Sequence, residues 1–292
     1  MLDFAAYTPA VHLTYNNGIA KTIHRNSKGM KLGLNGKTAF VAASSDGIGR
    51  AIARSLAAEG CGIVLCARNE DKLTAFEKQL RNDTGVDVDS IVGNLDDASE
   101  IDRIARAALG MHGVIDVLVT NNGGPGPGSF ESLDEVAWLS AWNRTLMAPV
   151  RLIRSFLPGM KERRWGRIIN ITSISVRQPI PRLLLSNAYR AAVTGMAKTL
   201  SDEVAALGIT VNCIAPGYIA TDRIAHLFAD RAAQSGRTAD EERRTLTAAI
   251  PAQRLGSPDE VGDLACFLAS ERAAYISGTT ILVDGGLFRG GV

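Results

Sequence analysis

The stretch 38–59 constrains the fold most, because an apolar run, a turn of small residues and a helical pattern follow one another there. The apolar run 38–43 is long enough for a buried strand and too short for a helix. After the turn, Ile52 and Leu56 recur at helical spacing, with arginines on the other side. This order predicts a strand that enters a helix through a tight turn.

The turn itself, residues 44–49, ends in Gly47-Ile48-Gly49. A strand joined to a helix by such a turn directs free backbone N–H groups, and the positive end of the helix dipole, at one point in space. An anion such as a dinucleotide pyrophosphate fits there. A tight connection without any ligand would show the same pattern, so the remainder of the chain must decide between the two.

Apolar runs and helical patterns alternate along the rest of the chain. Strands are predicted at 38–43, 62–67, 88–92, 115–119, 166–171, 209–214 and 280–283. Helices are predicted at 50–59, 70–80, 98–109, 133–142, 144–162 and 186–206. Continuous apolar strands separated by helices imply a parallel sheet covered on both faces. The sequence therefore predicts an α/β protein with a doubly wound parallel sheet of about seven strands, a Rossmann fold.

Composition bounds the class of protein and its surroundings. Residues 1–30 show no sustained period, so we expect an N-terminal arm or disordered leader before a single domain at 31–292. The net charge of +2 gives no reason to expect a nucleic acid or an anionic membrane as partner. No apolar run is long enough to span a bilayer. The four cysteines form no metal-ligand pattern and are typical of reduced thiols in a cytoplasmic protein.

Several short motifs occur in order along the chain. They are the turn 46–49, Asn121-Asn122-Gly123-Gly124, Ser173 after the fifth strand, the run 211–217 after the sixth, and Val283-Asp284-Gly285-Gly286. In this order and spacing, they make residues 32–286 resemble the short-chain dehydrogenase/reductase family, nearest to its β-ketoacyl-acyl-carrier-protein reductase branch. The resemblance implies an NAD(P)-dependent oxidoreductase that acts on a ketone or a secondary alcohol.

The resemblance also implies which residues hold the nicotinamide dinucleotide. The turn would hold the pyrophosphate, Asn94 the adenine, Asn121 and Gly123 the ribose side, and the segment after the sixth strand the nicotinamide amide. The implied cofactor contacts are Ser44, Ser45, Gly47, Ile48, Gly49, Asn94, Asn121, Gly123, Pro216, Gly217, Ile219 and Thr221. The family usually has glycine where Ala43 stands, so a slightly altered turn is expected.

The end of the second strand bears on the choice of cofactor. An acidic residue there would bind the ribose 2′-hydroxyl, whereas an arginine suits a 2′-phosphate. Arg68 occupies this edge and favours NADP(H) over NAD(H). Asp46 weighs against that choice, because phosphate-binding relatives often carry a basic residue at its position.

The catalytic positions depart from the family pattern of asparagine, serine, tyrosine and lysine. Ungapped alignment places Thr145 at the asparagine position, Ser186 at the tyrosine position and Arg190 at the lysine position, while Ser173 is retained. A serine hydroxyl is a poor acid or base near neutral pH. Arginine stays charged and can still bond ribose hydroxyls, so Arg190 is predicted to keep a cofactor contact.

Two phenols could replace the missing tyrosine. Tyr189 lies next to Arg190, and Tyr218 follows Pro216-Gly217. For both, packing is favoured over catalysis. Arg177 and His226 are interpreted as solvated surface residues.

The segment 222–255 is charged and helical in pattern, and the resemblance implies that it forms a lid over the substrate. The family also assembles through helices that correspond to 144–162 and 186–206, which implies a homodimer or homotetramer. Two functions remain open at this stage. One is a carbonyl reductase or alcohol dehydrogenase with a small-molecule substrate and altered proton transfer. The other is a nucleotide-binding sensor or scaffold without turnover.

Overall fold

The structure, a computed structural model, describes residues 31–290, and a compact unit begins at Leu32. The predicted arm at 1–30 lies outside the described residues. The strands are β1 Thr38–Ala42, β2 Gly62–Ala67, β3 Val88–Val92, β4 Val117–Thr120, β5 Gly166–Ile171, β6 Ile209–Pro216 and β7 Thr280–Val283. The helices are α1 Gly47–Ala58, α2 Glu70–Thr84, α3 Ala98–His112, α4 Glu135–Trp142, α5 Ala148–Arg163, α6 Leu184–Val204, α7 Asp222–Ser235, α8 Ala239–Ala249 and α9 Pro258–Ala269.

All seven strands join one parallel sheet in the order β3-β2-β1-β4-β5-β6-β7. The predicted doubly wound α/β fold is therefore confirmed. The direction of winding reverses between β1 and β4, so the loops that leave these neighbouring strands diverge and open a crevice at their carboxyl ends. Ligands of open α/β sheets bind at such a point.

The sheet is buried on both faces, as its continuous apolar strands require. On one face α1, α2 and α9 pack around Ile52, Leu56 and Phe76. On the other face α3, α5 and α6 pack around Ile104 and Phe156. Both clusters consist of fully or almost fully buried side chains, which fixes the carboxyl edge of the sheet as a rigid platform.

Helix α9 was not predicted, although its start carries a clear signal. Ser257 caps the helix, its side chain accepting from the Asp259 N–H, and the Glu260 carboxylate accepts in turn from the Ser257 N–H at 2.7 Å. Pro258 occupies the first turn, where it needs no hydrogen-bond partner. A capping box followed by proline is a recognised helix start, so the sequence contained the information.

The predicted helices at 133–142 and 144–162 meet in a π-helical turn, Asn143–Met147. Such a turn adds one residue to the helical repeat and is common at functional sites. One extra residue changes the spacing of the apolar side chains very little. The helical pattern of the sequence therefore did not reveal the π-helical turn.

The segment predicted as a lid consists of α7 and α8. Their apolar residues Phe228, Leu246 and Ile250 form a small cluster of their own, separate from the two core clusters. A satellite cluster of this size holds the two helices to each other more than to the sheet. No helix within residues 31–290 is long and apolar enough to cross a membrane.

Candidate active site

Two neighbouring cavities open at the carboxyl edge of the sheet. The first, which we call the serine cavity, has a volume of about 320 Å³ and is lined by Ser173 and Ser186. The second, the basic cavity, has a volume of about 610 Å³ and is lined by Arg68 and Lys72. Asn122, just beyond β4, lines both.

Most of the predicted site residues lie along these cavities. The serine cavity is lined by Ile48, Asn121, Ser173, Ser186, Arg190, Pro216, Gly217, Ile219 and Thr221. The basic cavity is lined by Ser45, Arg68, Asn94 and Gly123. Four predicted residues line neither cavity, namely Ser44, Gly47, Gly49 and Thr145. Residues that are far apart in the chain therefore converge on one continuous crevice.

The turn between β1 and α1 is shaped by close backbone packing. Ala43 has a φ of 49°, in the left-handed region that favours glycine. At Gly49, a Cβ would lie 2.2 Å from the Ala43 carbonyl oxygen, so no larger residue fits. Asn121 donates to that same oxygen at 3.4 Å and ties the end of β4 to the turn. The turn therefore follows a compact path, with Ala43 in a conformation that glycine adopts more readily.

The donors of this turn suit an anion. Asp46 caps α1 by accepting from the Gly47 N–H at 2.7 Å. The next N–H groups, of Ile48 and Gly49, belong to the first helical turn and have no intrahelical acceptor. They lie at the N-terminus of α1, which is the positive end of the helix dipole and stabilises an anion such as a pyrophosphate. The residues present thus fit the phosphate portion of a dinucleotide.

Ser44 corrects the prediction that its side chain holds the pyrophosphate. It is fully buried, and its hydroxyl accepts from the Cys66 N–H at 3.0 Å. The Ser44 N–H donates to the Cys66 carbonyl at 3.1 Å. Both of its polar groups therefore join the turn to β2, and neither is available to a ligand.

Asp46 has a structural role that was missed when it was interpreted only as a signal about the cofactor. Besides capping α1, its carboxylate binds Lys72 Nζ at 2.8 Å. The hydrogen bond from Lys72 is the main reason why the pKa of Asp46 lies below its ordinary value. Lys72 also stands 4.0 Å from Asp222, the first residue of α7. The charge of Asp46 is thus compensated at the edge of the basic cavity.

The far side of the basic cavity is fixed by an ion pair. Arg144 binds Asp96 through Nε and Nη2, at distances of 2.6 to 3.1 Å. The carbonyl oxygen of Arg144 accepts from Asn122 Nδ2 at 2.6 Å. Asn94 and Arg68 are exposed at the mouth of this cavity. The arrangement leaves Arg68 accessible to a ligand phosphate.

Ser186 and Arg190 lie one turn apart on α6, and both are buried. Arg190 Nε donates to Ser186 Oγ at 3.2 Å. Arg190 Nη1 donates to the carbonyl oxygens of Ile171 and Thr172, at 2.9 and 3.0 Å. The guanidinium therefore spans from the end of β5 to Ser186. Its predicted contact with a cofactor ribose stays a prediction that would require the remaining nitrogen, Nη2.

Burial sets the electrostatics of this pair. Desolvation, with a smaller contribution from the charge of Arg223, lowers the pKa of Arg190 to about 10. Removing a guanidinium from water disfavours its charged form. Arg190 is consequently a stronger acid than an exposed arginine.

Arg223 lines the serine cavity and was not among the predicted site residues. Its guanidinium donates to the carbonyl oxygens of Gly124 and Pro125, at 3.0 and 3.4 Å. It thereby links the start of α7 to the loop after β4. No sequence signal distinguishes it from the other arginines of this charged segment, because its partners are backbone atoms.

Ser173 follows β5 and begins a short 3₁₀ turn, where its Oγ accepts from the Ser175 N–H at 3.1 Å. Thr145 is buried in the π-helical turn, and its Oγ1 has no hydrogen-bond partner in the part of the chain that the structure describes. The structure therefore brings Ser173, Ser186 and Arg190 to one cavity, whose lining does not include Thr145.

The phenols separate clearly. Tyr189 donates to the Trp138 carbonyl at 3.2 Å and packs edge-on against that indole, so its predicted packing role is confirmed. Tyr218 lines the serine cavity. Arg177 and His226 are exposed, as interpreted from the sequence.

Comparison with known proteins agrees with this geometry. Residues 42–288 match the sequence profile of a family described as enoyl-(acyl carrier protein) reductase. The chain is 35% identical over 255 residues to the 3-oxoacyl-[acyl-carrier-protein] reductase of Haemophilus influenzae, covering 87% of this chain and 99% of that protein. It is 33% identical over 251 residues to dehydrogenase/reductase SDR family member 4 of Homo sapiens, covering 86% and 87%.

A solved structure shows the same likeness in three dimensions. L-sorbose reductase from Gluconobacter frateurii, complexed with NADPH and L-sorbose, superposes with a TM-score of 0.86 at 34% identity, covering 89% of this chain and all of that one. The fold and the crevice define a dinucleotide-binding α/β protein. The chain belongs to the short-chain dehydrogenase/reductase family of oxidoreductases.

Proposed function

We propose that the protein is an NADP(H)-dependent carbonyl reductase in which Ser186, coupled to Arg190, supplies the proton that a tyrosine supplies in its relatives. The observation that carries this proposal is the 3.2 Å hydrogen bond from Arg190 Nε to Ser186 Oγ, beside Ser173 in one cavity. The buried charge of Arg190 beside the Ser186 hydroxyl favours transfer of the hydroxyl proton.

The hydrogen bonds orient both serine hydroxyls. Ser173 Oγ accepts from the Ser175 N–H, and Ser186 Oγ accepts from Arg190 Nε. Each oxygen uses a lone pair for this bond, so each hydroxyl hydrogen is free to donate into the cavity. A substrate carbonyl oxygen placed between them would receive two hydrogen bonds, which stabilise the negative charge that develops there during reduction.

Arg190 makes Ser186 a usable acid. As the Ser186 proton moves to the substrate oxygen, the Arg190 Nε–H proton moves to the serine oxygen, so no free alkoxide has to form. The neutral guanidine that remains is tolerated because the site is buried. Water returns the proton to Arg190 once the product has left. Positioned proton transfer of this kind contributes about 10²–10⁴ in rate.

The remaining residues would hold the cofactor, which when bound supplies the hydride for the carbonyl carbon. The first N–H groups of α1 would bind the pyrophosphate, and Asn121 would face the ribose. Arg68 and Lys72 at the basic cavity would bind a 2′-phosphate, which supports NADP(H) over NAD(H). The sorbose reductase that this chain resembles binds NADPH, in agreement with this choice.

The proposal extends to substrate class and assembly. Two of the similar proteins are named for ketone substrates, a 3-oxoacyl group and L-sorbose, so we expect a small-molecule ketone or the corresponding secondary alcohol. The α7–α8 segment would act as the lid of this site. We also propose a cytoplasmic homodimer or homotetramer, since the four cysteines are buried free thiols suited to a reducing compartment.

The resemblance places the assembly on the helices at 144–162 and 186–206. Their apolar residues Leu152, Phe156 and Val193 are buried within the chain and cannot face a partner. Three of the large apolar side chains that are exposed lie near α4, namely Phe130, Val136 and Leu139. Light scattering at micromolar protein concentration tests the assembly, and a monomer would contradict it.

Two measurements test the proposed function. Calorimetric titration should show tighter binding of NADPH than of NADH, and bound ligand should raise the melting temperature. NADPH oxidation should then depend on an added ketone and be lost in Ser173→Ala. Binding without turnover on any ketone would contradict the reductase and agree with a nucleotide-binding protein. Unchanged turnover in Ser173→Ala would place the reaction elsewhere.

A further inference from the structure

A third cavity, which we call the lid cavity, lies between the loop after β5 and the lid helices. Its volume is about 290 Å³. Pro179 and Ile180 form one wall, and Leu246 and Ala249 of α8 form the other. Ile180 and Tyr218 line both this cavity and the serine cavity. The two spaces therefore adjoin and share these two side chains in their walls.

The lid cavity is mostly apolar, but Arg231 of α7 lines it. This side chain is half-buried. No hydrogen bond or ion pair joins its guanidinium to any residue in the described part of the chain. The other charged residue of the cavity, Glu242, is already bonded to Ser235 Oγ at 2.7 Å. Partly burying a guanidinium without pairing it is unfavourable. An anionic ligand that bound Arg231 would supply the missing partner.

We infer that the protein reduces ketones that carry an apolar arm ending in a carboxylate, with the arm in the lid cavity and the carboxylate on Arg231. This inference rests on the proposed function. The ketone would stand in the serine cavity next to Ser173 and Ser186, and the arm would pass between Ile180 and Tyr218. Taken together, the two cavities reach the size of ordinary small-molecule sites, about 300–1,000 Å³.

The charge of the cavity selects a carboxylate rather than a phosphate. One arginine fork matches one carboxylate in a bidentate pair. A phosphate monoester carries up to two negative charges and would require further donors. Glu242 in the same cavity would repel a dianion more strongly than a monoanion. A monoanionic group is therefore the ligand that the described residues accommodate best.

The test compares two ketones with the same carbon skeleton, 7-oxooctanoate and octan-2-one. The measured quantity is the ratio of their kcat/KM values. Arg231→Gln should lower this ratio about ten- to hundredfold, through a higher KM for 7-oxooctanoate, since a hydrogen bond to a charged group contributes that much. Arg243→Gln is the matched control. This substitution removes the same charge from the lid, but Arg243 is exposed on α8 and lines neither cavity. It should leave the ratio as in the wild type.

A second variant tests where the arm lies. Ala249→Leu adds bulk to the wall of the lid cavity and should lower the preference for 7-oxooctanoate over the short ketone butanone severalfold. An unchanged ratio in Arg231→Gln, or an equal loss in Arg243→Gln, would overturn the inference. An unchanged chain-length preference in Ala249→Leu would show that the arm does not lie in this cavity.

The inference can fail or survive separately from the proposed function. Calorimetric titration with octanoate, which has the carboxylate arm but no ketone, needs no turnover. Binding that Arg231→Gln abolishes supports the lid-cavity site even if no ketone is reduced. Reduction of octan-2-one by a protein that neither binds octanoate nor prefers 7-oxooctanoate would support the reductase and overturn the carboxylate site.

Discussion

Arg190 Nε donates a hydrogen bond of 3.2 Å to Ser186 Oγ, and both residues are buried one turn apart on α6. In the tyrosine–lysine pair of related enzymes the cation lowers the pKa of a phenol. Here the cation touches the hydroxyl directly, and its own pKa is lowered by burial to about 10. In the mechanism that we propose, the guanidinium rather than the hydroxyl supplies the acidity for proton transfer.

The first prediction is that Ser186→Ala lowers kcat for ketone reduction by about 10²–10⁴. The change removes the hydroxyl that lies between the substrate and Arg190. The dissociation constant for NADPH should stay within about twofold, since Ser186 lies on the substrate side. Stopped-flow turnover and calorimetry separate the two effects. A parallel loss of NADPH affinity would instead assign Ser186 a binding role.

The second prediction concerns pH. The proposed mechanism requires protonated Arg190, whose pKa of about 10 lies below the ordinary value of 12.5 because of burial. The rate of reduction should therefore be level below this pKa and fall as the pH rises through about 10. Tyr218→Phe is the control, because Tyr218 is a phenol that lines the same cavity. If the alkaline decline disappears in Tyr218→Phe, then the tyrosine and not Arg190 is the acid.

The third prediction concerns Thr145, which occupies the position of the family asparagine. Its buried Oγ1 lacks a hydrogen-bond partner among residues 31–290, and replacing such a group by one of the same shape is neutral or stabilising. Thr145→Val should therefore raise the free energy of unfolding by up to about 1 kcal/mol and leave kcat unaltered. Urea denaturation and steady-state kinetics check it. A large loss of kcat would show that the hydroxyl serves the reaction.

The fold was predictable from the sequence because strand and helix patterns are local. The order of elements and the parallel sheet follow from apolar runs such as Gly166–Ile171. The largest omission was α9, whose capping box was present but was not used. The π-helical turn at Thr145 could not be predicted, since one extra residue leaves the apolar pattern of the flanking helices almost unchanged.

The site was predictable as a set of positions but not as a set of contacts. Motif spacing placed Ser173, Ser186 and Arg190 together. It could not show that Ser44 binds β2, or that Arg190 Nη1 binds the end of β5, because these bonds go to backbone atoms of distant residues. Arg223 was missed for the same reason.

The fourth prediction concerns the turn after β1. Ala43 adopts a φ of 49°, which disfavours any side chain, whereas glycine adopts it freely. Ala43→Gly should raise the free energy of unfolding by about 0.5–1 kcal/mol, the strain relieved exceeding the extra freedom of glycine in the unfolded chain. Ala42→Gly, in extended β1, should lower it. Urea denaturation measures both, and a destabilised Ala43→Gly would mean that the turn holds Ala43 by its methyl group.

The last prediction restores the family pair. Ser186→Tyr together with Arg190→Lys should retain or raise ketone reduction, because a phenol four residues from a lysine on one helix is the arrangement that the relatives use. Lysine carries one compact ammonium in place of the planar guanidinium fork. It would no longer bind the carbonyl oxygens of Ile171 and Thr172, and the space that the guanidinium occupied becomes available to the larger tyrosine ring. Ser186→Tyr alone should be less active than the double variant by at least tenfold, since the guanidinium would still occupy that space.

Adding Ser173→Ala to the double variant should remove most of the activity, because the Ser173 hydroxyl supports the substrate oxygen in either version of the site. These variants are compared by kcat on one ketone at constant NADPH. A double variant less active than Ser186→Tyr would show that the cavity is shaped around the serine–arginine pair and that the pair is specialised for its own substrate.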